Sequence, residues 1–265
     1  MMVDQKDIER DLQELGVTKG DTVEVHSSLS SIGHVTGGAA AVVDALRSIV
    51  SATGALVMSN YPLSRPLPVT AEEKANGIAW KVRRLVDDST ERTGTGAISD
   101  EFRSRPDVIC GSGVHRVCAW GTNADIHSAG YEHLVENGGK VLLIGVDIDR
   151  CSSMHLSEKV KVTEKARNKM HTLWGQGHSV PISNDIKSQY PPDISLGSEE
   201  TGTTGNPWAN ARDEAHRRGL ITEGKIGKAN CMIFRAKEIL ELLKEIRQHG
   251  PFLFDKSNQG PSSVA

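Results

Sequence analysis

The sequence predicts an α/β fold: a layered mixed sheet flanked by helices. Three observations point there. Short apolar runs alternate with helix-spaced apolar patterns along most of the chain. Two of these runs end in polar turns that open a helix, the strand–turn–helix unit of layered α/β proteins. No repeat and no break in composition divides the 265 residues, so 1–254 read as a single domain and 255–265 as a disordered tail.

The elements follow in order. Ile8, Leu12 and Leu15 fall at helical spacing within 4–15, and Asp4 is placed to cap that helix. Gly16 and Gly20 bracket a turn into an alternating strand, Thr22–His26. Ser27–Gly38 is a loop rich in hydroxyls and glycine. A helix over about 39–50 buries Val42, Val43, Leu46, Ile49 and Val50, and Ala55–Met58 is the next strand. Pro62, Pro66 and Pro68 make 60–70 irregular. Residues 71–86 are expected to be helical with Trp80 and Leu85 inward. The polar piece 87–96 leads to a helix begun at Ile98–Phe102 and stopped before Pro106. Val114–Trp120 reads as a strand, 123–136 as a helix, 141–146 as a strand, and a helix starts at about 153. Four prolines and five glycines make 175–209 a long loop or lid. Cys231–Phe234 is a strand and Ala236–Arg247 a final amphipathic helix.

A net charge of −3 gives no reason to expect nucleic acid, and is mildly compatible with a cationic small ligand. No apolar run reaches the roughly 18 residues of a membrane span. The N-terminal residues lack the apolar core of a signal peptide, so a cytoplasmic protein is expected. Cys110, Cys118, Cys151 and Cys231 form no C-x-x-C pair and read as mostly buried thiols of a reducing compartment. No heptads suggest a coiled coil, and the oligomeric state stays open.

Two constellations carry chemistry. The loop after the first strand offers Ser27, Ser28, Ser30, Ser31 and Thr36, with Gly37 and Gly38 exposing backbone N–H groups at a helix start. Such a terminus suits a phosphate or an amide chain, although the same residue types also serve simply as helix caps. His26 ends the strand beside that loop and could line the site. The second constellation is His155 with Glu158. Residues at i and i+3 share a helix face, so the carboxylate can hold one ring nitrogen and leave the other to take a proton. An N-cap at Ser152 or Ser153 would put His155 in the first turn, where the helix dipole favours the neutral ring. A surface ion pair at the same spacing is the alternative. There is no G-x-S-x-G and no H-E-x-x-H, and His155 and Glu158 have no third ligand in sequence, so neither a hydrolase elbow nor a zinc site is supported.

Four segments, in order and spanning roughly 5–247, resemble the aminoglycoside 3-N-acetyltransferases, the antibiotic N-acetyltransferase family. They are Val25-His-Ser-Ser-Leu-Ser-Ser-Ile-Gly-His-Val-Thr-Gly-Gly38, Gly96 to Pro106, Val141 through Ser153-Met-His155-Leu-Ser-Glu158, and Ile226 to Arg235. The resemblance implies an α/β fold unrelated to GNAT acetyltransferases. It also implies acetyl transfer from acetyl-coenzyme A to an amine of an aminoglycoside. By the same resemblance Ser27, Ser28, Leu29, Ser30 and Val35 would line the pantetheine and phosphate arm, with His26 and Gly37 beside them. His155 would be the base and Glu158 its partner. The family's Arg-Ser-x-His-Pro segment is altered around His115, so no role is carried onto that residue. The family's Gly-x-x-Ser-Pro segment is absent before Val141, where only Tyr131–Gly139 remains. Asp100, Glu199, Glu200 and Asp213 are candidate contacts for the cationic acceptor. Two other readings stay open: an acyltransferase of this fold acting on a different amine, and a coenzyme A-binding protein without catalysis.

Overall fold

The centre of the molecule is the strand Thr22–Ser27, paired in parallel with Lys140–Ile144 on one side and Ala55–Ser59 on the other. All other pairings in this seven-stranded sheet are antiparallel. Its order is Ile221–Ile226, Ala229–Arg235, Lys140–Ile144, Thr22–Ser27, Ala55–Ser59, Val117–Gly121, Ile109–Cys110. The computed structural model describes residues 2–253 except 87, 177, 180, 199 and 202–205, so the predicted tail lies outside the described residues. The sheet is mixed and helix-flanked, as the sequence predicts.

Period-two alternation divides the core between the two faces. Leu142 and Ile144 join Val23 and Val25 under the helices Gln5–Glu14 and Gly38–Val50. Val141 and Leu143 turn the other way, onto Ile239, Leu242, Leu243 and Ile246 of the helix Ala236–His249. Val23 and Val25 take the first face, so Glu24 and His26 share the second. That places a carboxylate and an imidazole in an otherwise apolar layer. Because the three central strands are parallel, Ser27, Ser59 and Ile144 end at one edge, where layered α/β folds bind ligands.

Asp4 caps the first helix as predicted, in a reciprocal box with Asp7. Other expectations are corrected. Residues 71–86 are not one helix. Ala71–Ala75 is helical, then Trp80–Arg83 is a strand with Trp80 exposed, although Leu85 is buried. Gly77, at φ +82°, breaks the helix where an L side chain would be strained. The strand Trp80–Arg83 pairs with Ile194–Gly197, so part of the predicted 175–209 loop is sheet. Gly197 permits this, because a Cβ there would lie 1.9 Å from the Trp80 ring. Residues 123–136 split into Ala124–Ser128 and Glu132–Glu136 around Gly130. The segment after Cys151 is a 3₁₀ helix, Ser152–Lys159, followed by a separate α-helix, Glu164–Trp174. Cys110 and Cys118 are directly opposed on neighbouring strands and form a disulfide, which leaves Cys151 and Cys231 as buried thiols. Sequence spacing alone could not show that eight residues of hairpin bring those two sulfurs together.

Candidate active site

A cavity of about 1020 Å³ opens at the carboxyl ends of the central strands. His26, Ser27, Ser28, Leu29, Ser30 and Val35, the residues assigned above to the pantetheine arm or placed beside it, line this cavity; Gly38 lines it in place of Gly37. The hydroxyl-rich segment is not plain loop. It holds a short helix, Leu29–Ile32, and a two-residue strand, His34–Val35, paired with Met2–Val3. The segment is pressed against the turn after Lys140–Ile144, since Ser31 donates to the Gly145 carbonyl at 3.2 Å. A Cβ at Gly145 would lie 2.3 Å from that of Ser31, so only glycine allows this approach. The far wall comes from Thr95, Gly96 and Ala97 at the start of the helix Ala97–Arg103, and from Ser59, Tyr61 and Ser152.

At the floor lies a polar cluster that the sequence reading missed. Glu24 has a side chain with no exposure, and its Oε1 is 2.6 Å from His26 Nε2. The Ser153 backbone N–H donates to Glu24 Oε1 at 3.0 Å, and the Ser152 N–H donates to His26 Nε2 at 3.2 Å. The Cys151 thiol also faces Glu24 Oε1 at 3.9 Å. Glu24 Oε2 is buried with no hydrogen-bond partner among the described residues. Above the cluster, Ser59 and Tyr61 both donate to Ser152 Oγ, at 2.7 and 2.8 Å. Tyr131, hydrogen-bonded to Ser59, completes this hydroxyl chain; because Ser59 already donates to Ser152, Tyr131 is the donor in that bond. Burial, reinforced by the Glu24 charge, pushes the Tyr131 hydroxyl and the Cys151 thiol well above their ordinary values. Both therefore stay protonated at neutral pH. The missed signal was a carboxylate two residues before a histidine in a strand, a spacing that puts both on one face.

Glu24, His26 and Cys151 bring an oxygen, a nitrogen and a sulfur within 4.8 Å of one another, a set that zinc accepts. The backbone hydrogens of Ser152 and Ser153 already point at the nitrogen and oxygen lone pairs a metal would need. The donor set suits proton sharing better than metal ligation.

His155 and Glu158 stand on the 3₁₀ helix that starts at the cavity wall with Ser152. His155 Nδ1 lies 2.7 Å from Glu158 Oε1, and both side chains are more than half exposed, at 58 and 56 %. The His155 ring also packs edge-on against Trp208, with centroids 5.2 Å apart. Neither residue lines the cavity itself. Three residues of 3₁₀ helix separate His155 from Ser152, about 6 Å along the axis. The helix begins at Cys151 without a side-chain cap, which removes the expected serine cap and the α-helix dipole argument built on it.

The candidate acceptor contacts are scattered. Asp100 is committed to structure: it accepts from the Thr93 backbone N–H and hydroxyl and from Asn60. Asp213 pairs with Arg212 at the surface, 3.1 Å away. Glu199 and the Glu200 side chain lie outside the described residues.

Together these features define an α/β protein whose mixed sheet carries a hydroxyl-lined cavity at its strand ends, with a histidine–carboxylate pair on the 3₁₀ helix that leaves the cavity wall at Ser152. Residues 25–247 match the family model described as aminoglycoside 3-N-acetyltransferase, and the chain belongs to that family of acyltransferases. It is 31% identical over 263 residues, 91% of each chain, to the SPbeta prophage-derived aminoglycoside N(3')-acetyltransferase-like protein YokD of Bacillus subtilis. The crystal structure of YokD superposes with a TM-score of 0.63 at 25% identity, covering 92% of this chain and 93% of that one. An aminoglycoside N(3)-acetyltransferase III of Salmonella is 28% identical over 262 residues, 89% of this chain and 88% of its own. A solved structure titled AAC-IIIb binary with CoASH shares the fold at 20% identity and a TM-score of 0.60, covering 92% of this chain and 96% of that one. The fold is thus that of aminoglycoside acetyltransferases rather than GNAT enzymes.

Proposed function

We propose that this protein transfers the acetyl group of acetyl-coenzyme A to the 3-N amine of an aminoglycoside, by direct attack with His155 as general base. The observation that carries the reading is the His155–Glu158 pair. Glu158 occupies Nδ1, which leaves Nε2 free to take the amine proton. The cavity, with its serines and the glycine-rich start of the helix Gly38–Val50, has the size and amide-and-hydroxyl lining that a pantetheine arm and phosphates need. Its neighbour solved with CoASH supports the same donor. A base more than half exposed, on the helix that starts at the cavity wall, suits an acceptor as bulky as an aminoglycoside, which has to approach from outside while the thioester reaches in. Membership of the family supports a cationic aminoglycoside as the acceptor. The reaction belongs in the cytoplasm, where acetyl-coenzyme A is available. Among the described residues no helix is long and apolar enough to cross a membrane.

Turnover is read by coenzyme A thiol release across an aminoglycoside panel. His155→Ala is expected to lower kcat by about 100-fold or more with coenzyme A affinity nearly unchanged. Full activity in that variant removes the assigned base. Turnover confined to other amines shifts the acceptor, and thioester binding with no transfer to any amine defeats the enzymatic reading.

A further inference from the structure

The floor of the cavity carries a second histidine–carboxylate pair, in surroundings opposite to those of the first. His26 lines the cavity, yet only 10 % of its side chain is exposed. Its Nε2 is held by Glu24 and by the Ser152 N–H. Among the described residues Nδ1 has no hydrogen-bond partner, and it is not one of the buried unpartnered atoms, so it is the ring atom open to the cavity. Glu24 is fully buried behind it and receives the Ser153 N–H. Two backbone hydrogens thus aim at one imidazole–carboxylate unit, and such donors stabilise negative charge left on it.

We infer that His26, positioned by Glu24, is the general acid that protonates the departing coenzyme A sulfur. The inference rests on the proposed acetyl transfer and assigns its other half. In the acid form His26 Nε2–H donates to Glu24 Oε1, the Ser152 N–H being displaced from that nitrogen, and a second proton is carried on Nδ1. The amine nitrogen attacks the thioester carbon, the new N–C bond forms, and His155 takes one proton from that nitrogen. The C–S bond breaks with its electron pair on sulfur. The Nδ1 proton passes to sulfur, giving the coenzyme A thiol, while the Nε2 proton stays in its bond to Glu24. The negative charge left on Glu24 is met by the Ser153 N–H. His155 then releases its proton to water and the Glu24–His26 unit regains one. Overall an amine and a thioester become an amide and a thiol. The two pairs therefore divide the labour, with an exposed base for the incoming group and a buried acid for the leaving group.

A change of leaving group tests this. Acetyl-seleno-coenzyme A is nearly isosteric with acetyl-coenzyme A, but its selenolate departs without needing a proton. His26→Asn should lower kcat about 100-fold with the thioester and under about 10-fold with the selenoester. Glu24→Gln, which keeps the shape but removes the negative charge facing Nε2–H, should lose about 10-fold with the thioester and show the same donor dependence. His155→Ala should lose equally with both donors. Equal losses with both donors in His26→Asn and Glu24→Gln, or no loss, overturn the assignment in favour of packing or binding. The comparison can also be read from the slow hydrolysis of each ester. Donor-dependent loss in hydrolysis, with no aminoglycoside accepted, would sink the proposed acceptor and leave the acid role standing. A wild-type protein that processes neither ester by either route defeats both.

Discussion

Glu24–His26 and His155–Glu158 are the same two functional groups at nearly the same separation, 2.6 and 2.7 Å, in opposite surroundings. One is built on a strand, where i and i+2 share a face; the other on a 3₁₀ helix, where i and i+3 eclipse. One carboxylate is fully buried, the other mostly in water. The buried pair has its rotamers fixed by sheet packing and two backbone donors, so it can act at a fixed point. The exposed pair has fewer restraints and can meet acceptors of different shape.

The largest expected effect comes from removing each carboxylate. Glu24→Ala strips the partner from a buried imidazole, orphans the Ser153 N–H and opens a void among Tyr131, Cys151 and the sheet. It should destabilise by about 3 kcal/mol. Glu158→Ala breaks only a solvated pair and should cost under about 0.5 kcal/mol. Chemical denaturation of the two variants measures the difference. Similar losses would mean that the environments differ less than the geometry states.

Much of this arrangement was legible beforehand. The layered sheet, the capped first helix and the hydroxyl segment follow from local pattern, because apolar period and turn residues act over a few positions, and the roles of His155 and Glu158 come from their i,i+3 spacing together with the family resemblance. Glu24 was not found, because a carboxylate in an apolar strand is normally an outward-facing residue. Only the tertiary fact that both faces of the central strand are covered makes it buried. The pairing of Trp80–Arg83 with Ile194–Gly197 is likewise non-local, joined across more than a hundred residues, while the Cys110–Cys118 bond, only eight residues apart, depends on a hairpin register that the cysteine spacing does not state. Asp100 read as a free acid for the same reason, since its partner Asn60 lies far away in sequence.

A smaller effect concerns the thiol beside the buried pair. Cys151 is held up by burial first and by Glu24 second. A thiol reagent at pH 8 should therefore find essentially no fast-reacting cysteine in the native protein, since Cys231 is also buried and is pushed up to about 11. Unfolding without reductant should release two thiols, Cys151 and Cys231, while Cys110 and Cys118 stay bonded. In Glu24→Ala the native Cys151 should react at least several-fold faster, because a void and a lost negative charge both favour the thiolate. An unchanged rate would detach Cys151 from the Glu24 environment.

Burial is not the sole way to perturb a carboxylate, and Glu73 marks the other limit of the comparison. Lys81 first, then the Thr70 backbone N–H and the Tyr190 hydroxyl, hold its carboxyl down to about 2 from an ordinary 4.5. Three donors achieve this at a partly covered side chain outside the apolar layer that encloses Glu24. The sign follows from proton binding: between these values the unfolded chain binds the proton and the folded one does not. The contribution of Glu73 is thus complete above about 4.5 and is lost as pH falls through about 2. The Lys81 and Tyr190 contacts tie the helix Ala71–Ala75 to the strand Trp80–Arg83 and the segment at Tyr190, so the loss should appear locally. Amide exchange at Ala71–Ala75, corrected for its intrinsic pH dependence, should lose protection across that interval in the wild type. In Glu73→Gln protection should be weaker at neutral pH and flat across the same range. A Glu73 titration midpoint near 4.5 would show that the three donors are not engaged in solution, and would leave burial as the dominant perturbation of carboxylates in this fold.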